Sequence, residues 1–319
     1  MTHQCRVCDN TTGNSTYTVA EMMFGMGESF EYFECARCKC LQLTTLPTDL
    51  AKYYPPNYYS LHPETFGRGL AKRLGLRAVC RSLVMCSPFQ PFGKFLIRKR
   101  YPTLYLIGLC GLRPGSYILD VGCGRGDLVT LLREGGFLNV VGIDPYLAQD
   151  IREPDGRITV SRKTLDEHEG SYDIIMFHHS FEHVLSPLET LLSVRRLLRP
   201  QGRCLIRMPT VSSWAWRHYR ELWCQIDAPR HIHLHSTESL RILADRARLQ
   251  LERVIYDSTA FQFWVSERYA RGKPLCPLDR SSAGPVECVP SELRRYRKQA
   301  RRLNAMRDGD QAAFYLTAI

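Results

Sequence analysis

The sequence predicts a doubly wound, seven-stranded α/β sheet preceded by a small cysteine-rich module. Three observations carry that expectation. From Ile118 onward, short apolar runs alternate with helix-period segments, the pattern of a parallel sheet covered by helices. The stretch ILDVGCGRGDLV, Ile118 to Val129, joins an apolar strand to a helix through three alternating glycines. Two C-x-x-C pairs, Cys5/Cys8 and Cys35/Cys38, stand ahead of it.

Residues 1–60 are read as the module. Each cysteine pair can place two thiolates on one knuckle, and two knuckles close a tetrahedral shell, so zinc is the expected metal. A four-thiolate shell has no open position, which makes the metal structural. Cys40 is a spare thiol able to replace Cys38. Tyr53, Tyr54, Tyr58 and Tyr59 can stack on a substrate or form the packing seam to the core. Thirteen cysteines without a secretion signal argue for thiols and metal rather than disulfides.

Residues 61–113 read as a basic helical linker. No Asp or Glu occurs from Thr65 to Arg113, whereas Arg68, Lys72, Arg73, Lys94, Arg98 and Lys99 do. A second basic run, SELRRYRKQARR, starts at Ser291, and the net charge is +11. Such runs suit a phosphate-bearing substrate, an anionic membrane surface or, less well, nucleic acid; they also suit a solvated helix face. No stretch is apolar enough to span a bilayer, so the expected location is the cytoplasm, free or peripheral to the inner membrane surface.

Residues 114–319 hold the sheet. After the strand at Ile118, a helix presents Leu128, Leu131 and Leu132 on one face and ends at Gly135-Gly136. The second strand, Val140 to Ile143, ends in Asp144. Ile158-Thr159-Val160 is the third and Tyr172 to Phe177 the fourth. A helix capped by Ser186, with Pro187 at N1 and Glu189 at N3, buries Leu188, Leu191, Leu192 and Leu198. Cys204-Leu205-Ile206 is the fifth strand, Ser236 caps the next helix, and Leu251 to Tyr256 is the sixth strand. A helical excursion from about Phe261 to Arg307 precedes the last strand, Gln311 to Thr317.

The glycine turn does not suit a dinucleotide. The third glycine comes one residue early, and Asp127 stands where G-x-G-x-x-G would have glycine, so a pyrophosphate there meets a carboxylate. No G-K-[ST] follows for a triphosphate. The turn suits a ligand without phosphates but with positive charge, such as S-adenosylmethionine. Asp144, at the tip of the second strand, can accept hydrogen bonds from both ribose hydroxyls.

With that strand–turn–helix–strand–acid order, the chain resembles the class I S-adenosylmethionine-dependent methyltransferases and their Rossmann-like sheet. The resemblance implies that Asp120 lies near the methionine amino group, that Gly122, Gly124 and Gly126 bring backbone against the methionine moiety, and that Asp144 holds the ribose. His179 joins this cofactor-binding set.

The acceptor belongs beyond the fourth strand, at His178 to Val184. Glu182-His183-Val184 followed by Pro187 resembles the same region of ubiquinone-biosynthesis O-methyltransferases. His183 is the expected general base, and Glu182 its orienter or a substrate contact. In ubiquinone-type and small-RNA 2′-O-methyltransferases, E-x-x-E-H at this place can hold a divalent metal. Here His179 replaces the first Glu, with His231, His233 or His235 as a possible fourth ligand. In the segment WCQIDAPRHIHLHS, Asp227 and His231 are further pocket candidates, and the three histidines share one side if extended. Trp214, Trp216 and Trp223 form a lid or simply pack.

Over most of its length the chain resembles methyltransferases with an N-terminal two-knuckle zinc module, of the polysaccharide and natural-product type. That implies O-methylation of a sugar, a glycan or a related biosynthetic intermediate. Other readings are methylation of RNA, of a phenol or quinone, or of a sugar carbon, and a non-catalytic zinc-ribbon adaptor.

Overall fold

The computed structural model describes residues 3–55, 75, 77–80, 98, 100–153, 155–277 and 289–319. Tyr58, Tyr59 and most of the basic 61–113 stretch lie outside the described residues.

The N-terminal strands are β1 (Ser15–Ala20), β2 (Ser29–Glu34) and β3 (Leu41–Leu43). Helix α1 (Pro102–Gly108) leads into β4 (Ile118–Val121), α2 (Asp127–Glu134) and β5 (Val140–Ile143). Then come β6 (Ile151–Arg152), β7 (Ile158–Ser161), β8 (Tyr172–His178), α3 (Pro187–Leu197) and β9 (Leu198–Pro209). The chain continues with α4 (Trp214–Tyr219), β10 (His233–Leu234), α5 (Thr237–Arg246) and β11 (Leu249–Tyr256). It closes with α6 (Phe261–Ala270), α7 (Pro290–Ala305) and β12 (Gln311–Ala318).

The large sheet has the order β11-β12-β9-β8-β4-β5-β7-β6. Strands β4, β5, β7, β8 and β9 are parallel, and β12 inserts antiparallel between β9 and β11. Eight strands replace the expected seven because the two-residue β6 adds an antiparallel edge to β7. Two residues carry too little periodicity to be read from sequence.

Alternate residues of each central strand feed opposite faces, as the pleat requires. Leu119, Ile175 and Phe177 pack with Leu191 and Val194 of α3 and Leu240 and Leu243 of α5. Ile118, Ile174 and Met176 pack with Leu104 and Ile107 of α1 and Val129 and Leu132 of α2. Both faces are therefore covered, which explains why β8 reads as a continuous apolar run.

Local expectations are met unevenly. Ser236 does cap α5, its hydroxyl accepting from Ser239 N at 2.9 Å. At α3 the Ser186 side chain makes no cap bond, although Pro187 sits at N1. Leu192 faces solvent, 41% exposed, and Leu198 is the first residue of β9. The 3.6-residue period places Leu192 off the stripe of Leu191 and Val194.

The N-terminal module does not close on itself. Its sheet, β1-β2-β3-β10, takes its last strand from residues 233–234, with His233 opposite Gln42 and Leu234 opposite Leu41. The cysteines Cys5, Cys8, Cys35, Cys38 and Cys40 join the same apolar cluster as α5. Trp216 and Trp223 are buried in a further cluster with Tyr32, Leu41 and Leu43, so these two indoles pack the seam.

Candidate active site

The chain order β4-β5-β7 runs toward one edge of the sheet and then returns to β8 on the other side of β4. The crevice of a doubly wound sheet lies at that reversal, beyond the carboxyl ends of the strands. Two loops meet there, the glycine turn after β4 and residues 179–184 after β8. Ser180 joins them: its hydroxyl donates to Val121 O at 2.6 Å.

The glycines do different jobs. All three have positive φ, +68° at Gly122, +53° at Gly124 and +76° at Gly126. A Cβ on Gly122 would come within 2.5 Å of Ser180 Cβ, so this glycine lets the two loops approach. A Cβ on Gly126 would come within 2.5 Å of Val160 Cγ2, which gives Gly126 a reason in packing against β7. Gly124 N–H donates to Asp144 Oδ2 at 2.8 Å, and Tyr146 N–H donates to Asp144 Oδ1 at 2.9 Å. Asp144 thus ties the turn to the tip of β5, and its remaining lone pairs are the ones open to a ligand.

Asp120 is 3% exposed. Burial, with the Asp144 charge adding, pushes its carboxyl up to about 8. The Asp144 charge at the turn disfavours a phosphate, and a cation would favour the ionised form of Asp120, so the site fits a sulfonium- and ammonium-bearing ligand.

The second loop assembles the histidines. Glu182 is fully buried, and neither carboxylate oxygen has a hydrogen-bond partner. Its Oε1 lies 3.5 Å from His179 Nδ1 and 3.9 Å from His231 Nε2. Burial opposes its ionisation, but the neighbouring imidazoles of His179, His231 and His183 outweigh that and hold it at about 2.

Acceptor-only and donor-only partners assign the tautomers. His231 Nδ1 lies 2.7 Å from Gln225 O and must donate to it, leaving Nε2 bare. His183 Nδ1 lies 2.8 Å from Arg230 O and donates to it, so in the neutral ring the bare nitrogen is Nε2. The two rings meet edge to face, centroids 4.8 Å apart. Ligand atoms of Glu182, His183 and His231 all lie within 4.8 Å of one another. Burial pushes the His231 imidazole down, with His183 adding to the effect, so it stays neutral.

His179 is differently engaged. Its Nε2 accepts from Arg207 Nη1 at 3.0 Å, which turns Nδ1–H toward Glu182. Arg207 is held in turn by Asp257 at 2.6 Å. Of the expected metal set, Glu182 and His183 converge with His231, one of the three candidate fourth ligands, and His179 stands outside that group. His233 Nδ1 lies 3.0 Å from Val184 O, and His235 Nδ1 lies 3.2 Å from Ser239 Oγ. Of the three alternating histidines, His231 is the one whose ring nitrogen comes within 4 Å of Glu182. Asp227 is spent on Arg230, which pairs with both of its oxygens at 2.7 and 3.0 Å.

The four cysteines converge separately. Cys5 Sγ is 3.5 Å from Cys38 Sγ, Cys8 Sγ is 3.5 Å from Cys35 Sγ, and all four lie within 4.8 Å of one another. A tetrahedral shell with metal–sulfur bonds of about 2.3 Å has edges of about 3.8 Å, so the set fits zinc. Gln42 Nε2–H and Val7 N–H point at Cys5 Sγ, at 3.0 and 3.4 Å, as outer donors to a thiolate. Cys40 stands apart, 3.7 Å from His235 Nδ1.

Residues 97–254 match the family model described as Methyltransferase domain. The matched region covers the glycine turn, Asp144 and the Glu182 cluster. A Vibrio campbellii ubiquinone biosynthesis O-methyltransferase is 31% identical over 98 residues, 28% of this chain and 41% of that protein. An uncharacterized 37.1 kDa protein in transposon TN4556 of Streptomyces fradiae is 35% identical over 109 residues, 30% of this chain and 31% of its own. The chain thus spans less than half the length of these relatives. Among solved structures, an S-adenosylmethionine-dependent methyltransferase from Archaeoglobus fulgidus aligns with TM-score 0.40 and 16% identity, over 70% of this chain and 91% of that one. A mycolic acid cyclopropane synthase aligns with TM-score 0.44 and 17% identity, over 75% and 92%.

Sequence reasoning missed Arg230, Arg207 and Asp257 around this site. Arg230 carried a signal, an acid three residues before it in DAPRH; the Arg207–Asp257 pair is 50 residues apart and carried none.

Proposed function

We propose that this chain is an S-adenosylmethionine-dependent methyltransferase that O-methylates a sugar, a glycan or a related biosynthetic intermediate. One observation carries the O-methylation: the buried Glu182 carboxylate and the His183 and His231 rings converge, one ligand atom of each within 4.8 Å of the others. An acceptor hydroxyl bound there meets groups able to take its proton. When bound, S-adenosylmethionine supplies an electrophilic methyl group. Asp120, the glycine turn and Asp144 would hold it. His183 takes the hydroxyl proton at Nε2 as general base, and the buried Glu182 carboxylate stabilises the imidazolium that forms.

The relatives named for ubiquinone biosynthesis favour a second substrate reading, a phenol or quinone precursor. The same cluster also fits a divalent cation, which would act on the hydroxyl as a Lewis acid. The four-cysteine site would hold a structural zinc. Among the described residues no helix is long and apolar enough to cross a membrane. The basic surface suits a phosphate-linked acceptor or an anionic membrane surface, and an RNA acceptor less well. The deciding assay incubates the protein with methyl-labelled S-adenosylmethionine and nucleotide sugars, lipid-linked glycans, quinone precursors or RNA. Label in the sugar or glycan fraction is the expected result; label in RNA alone overturns it.

Two consequences concern the cofactor side. Asp144→Ala is expected to weaken S-adenosylhomocysteine binding by about 1–3 kcal/mol, through loss of charge-assisted bonds. Calorimetry showing unchanged affinity would remove Asp144 from the ribose. Asp120 keeps its proton up to about 8 without a ligand, and a cation beside it favours the ionised form. Binding at pH 7 should therefore release a proton from Asp120, seen as a binding enthalpy that depends on buffer ionisation and is reduced in Asp120→Asn. Equal proton release in both proteins would sink the assignment. The same raised carboxyl makes the ligand-free protein lose stability as pH rises from about 4 to about 8, because the native form holds the proton longer than the unfolded chain.

A further inference from the structure

The N-terminal module reaches the histidine cluster at several points. Arg230 is fully buried, and its guanidinium spans the seam. Nη2 donates to Glu21 Oε1 at 2.7 Å and Nη1 to Tyr53 O at 3.1 Å, both in the module. The other side of the same guanidinium holds Asp227. Glu21 is itself 1% exposed and fixed by the Phe24 and Met26 N–H groups, each at 3.1 Å. Such a buried ion triad is rigid, since moving any member strands a charge in a dry interior.

What Arg230 holds with its backbone is the point of interest. Its carbonyl is the acceptor that sets the His183 tautomer. Tyr54 of the module places its hydroxyl 3.3 Å from the same Nδ1. Two further bonds lock the neighbouring residues: Tyr32 OH donates to His231 O at 2.8 Å, and Leu43 N donates to Ile232 O at 3.0 Å. None of the bonds described in the glycine turn comes from the module.

We propose that the N-terminal module is a working part of the acceptor site, with Glu21, through Arg230, and Tyr54 as positioning residues that keep His183 Nδ1 protonated and Nε2 bare. The inference rests on the reading of His183 as the proton acceptor. A module that only stabilised the fold would affect the whole protein alike. A positioning module acts on one imidazole and leaves the cofactor turn untouched.

The test uses the full chain, loaded with zinc, labelled with ¹⁵N-histidine, with His183→Gln to assign the His183 signals. Glu21→Gln keeps the shape and removes the charge; Tyr54→Phe removes only the hydroxyl. In the wild type the shifts should report the Nδ1–H tautomer at His183. In each variant that signal moves toward a mixture, most in the double variant, while S-adenosylhomocysteine affinity stays within about twofold. Turnover on an acceptor found by label transfer should fall about 10- to 100-fold, the usual cost of losing an outer partner of a functional imidazole. Unchanged His183 shifts in folded Glu21→Gln and Tyr54→Phe overturn the proposal, as does an equal loss of cofactor affinity. If Glu21→Gln does not fold, Tyr54→Phe carries the test. The tautomer is read without any acceptor, so a failure here is distinct from a failure of His183 as base.

Discussion

His183→Ala is expected to lower methyl transfer about 10²-fold or more while leaving S-adenosylhomocysteine affinity unchanged. The separation follows from where the groups sit. The cofactor turn hangs on Asp144 and Ser180, through Gly124 N and Val121 O. His183 hangs on Arg230 O and faces Glu182 and His231. Alanine removes one of two bare Nε2 atoms, so His231 is left as the nearest substitute. Burial pushes the His231 imidazole down, which makes it a poor base, and little rescue is expected. His183→Ala with His231→Ala should then cost hardly more than the first change alone, because residues acting as a unit are not additive. Rates from a labelled-methyl assay, with calorimetry beside them, decide the matter. Wild-type turnover in His183→Ala would reduce the imidazole to packing.

Cys5→Ser is expected to have the largest effect on stability. Structural zinc contributes about 10–16 kcal/mol to small metal-folded units, and the Cys5 sulfur is one corner of the shell, with Gln42 and Val7 donating to it. The site is not peripheral: its cysteines share an apolar cluster with α5 and the inner face of the large sheet. Ser236 Oγ donates to Cys38 O at 2.5 Å, so the second knuckle is tied to the cap of α5. Loss of metal should therefore loosen β3 and β10 together and lower the melting temperature of the whole protein. Elemental analysis should find about one zinc in the wild type and much less in the variant. Full occupancy and an unchanged melting temperature would show that another thiol, Cys40 being nearest in sequence, completes the shell. Cys40 faces His235 in the structure, which argues against such a replacement.

Much of the fold was legible because its signals are local. A strand buried on both faces is an apolar run, and β8 is one. A turn that needs positive φ takes glycine, and all three predicted glycines have it. Matched C-x-x-C spacing places two thiols on one turn, and the four sulfurs do meet. What failed to read were features set by distant partners. Strand β10 exists because β3 lies beside it, not because HL is a strand sequence. Leu192 looked apolar enough for the core, yet the helix phase turns it outward.

By itself, then, the sequence determined the order of the sheet's central elements, the acid-lined glycine turn and the two thiol knuckles. Each depends on residues close in the chain, whose backbone geometry and spacing are set locally. The tertiary structure alone decided which histidine joins Glu182, which ring nitrogens face carbonyls, and that the N-terminal module touches the histidine cluster. Those depend on contacts such as Glu21 with Arg230, 209 residues apart, and Tyr54 with His183, 129 apart. Hydrogen-bond partners at such separations leave no period or spacing in the sequence, because folding brings them together through the packing of whole elements.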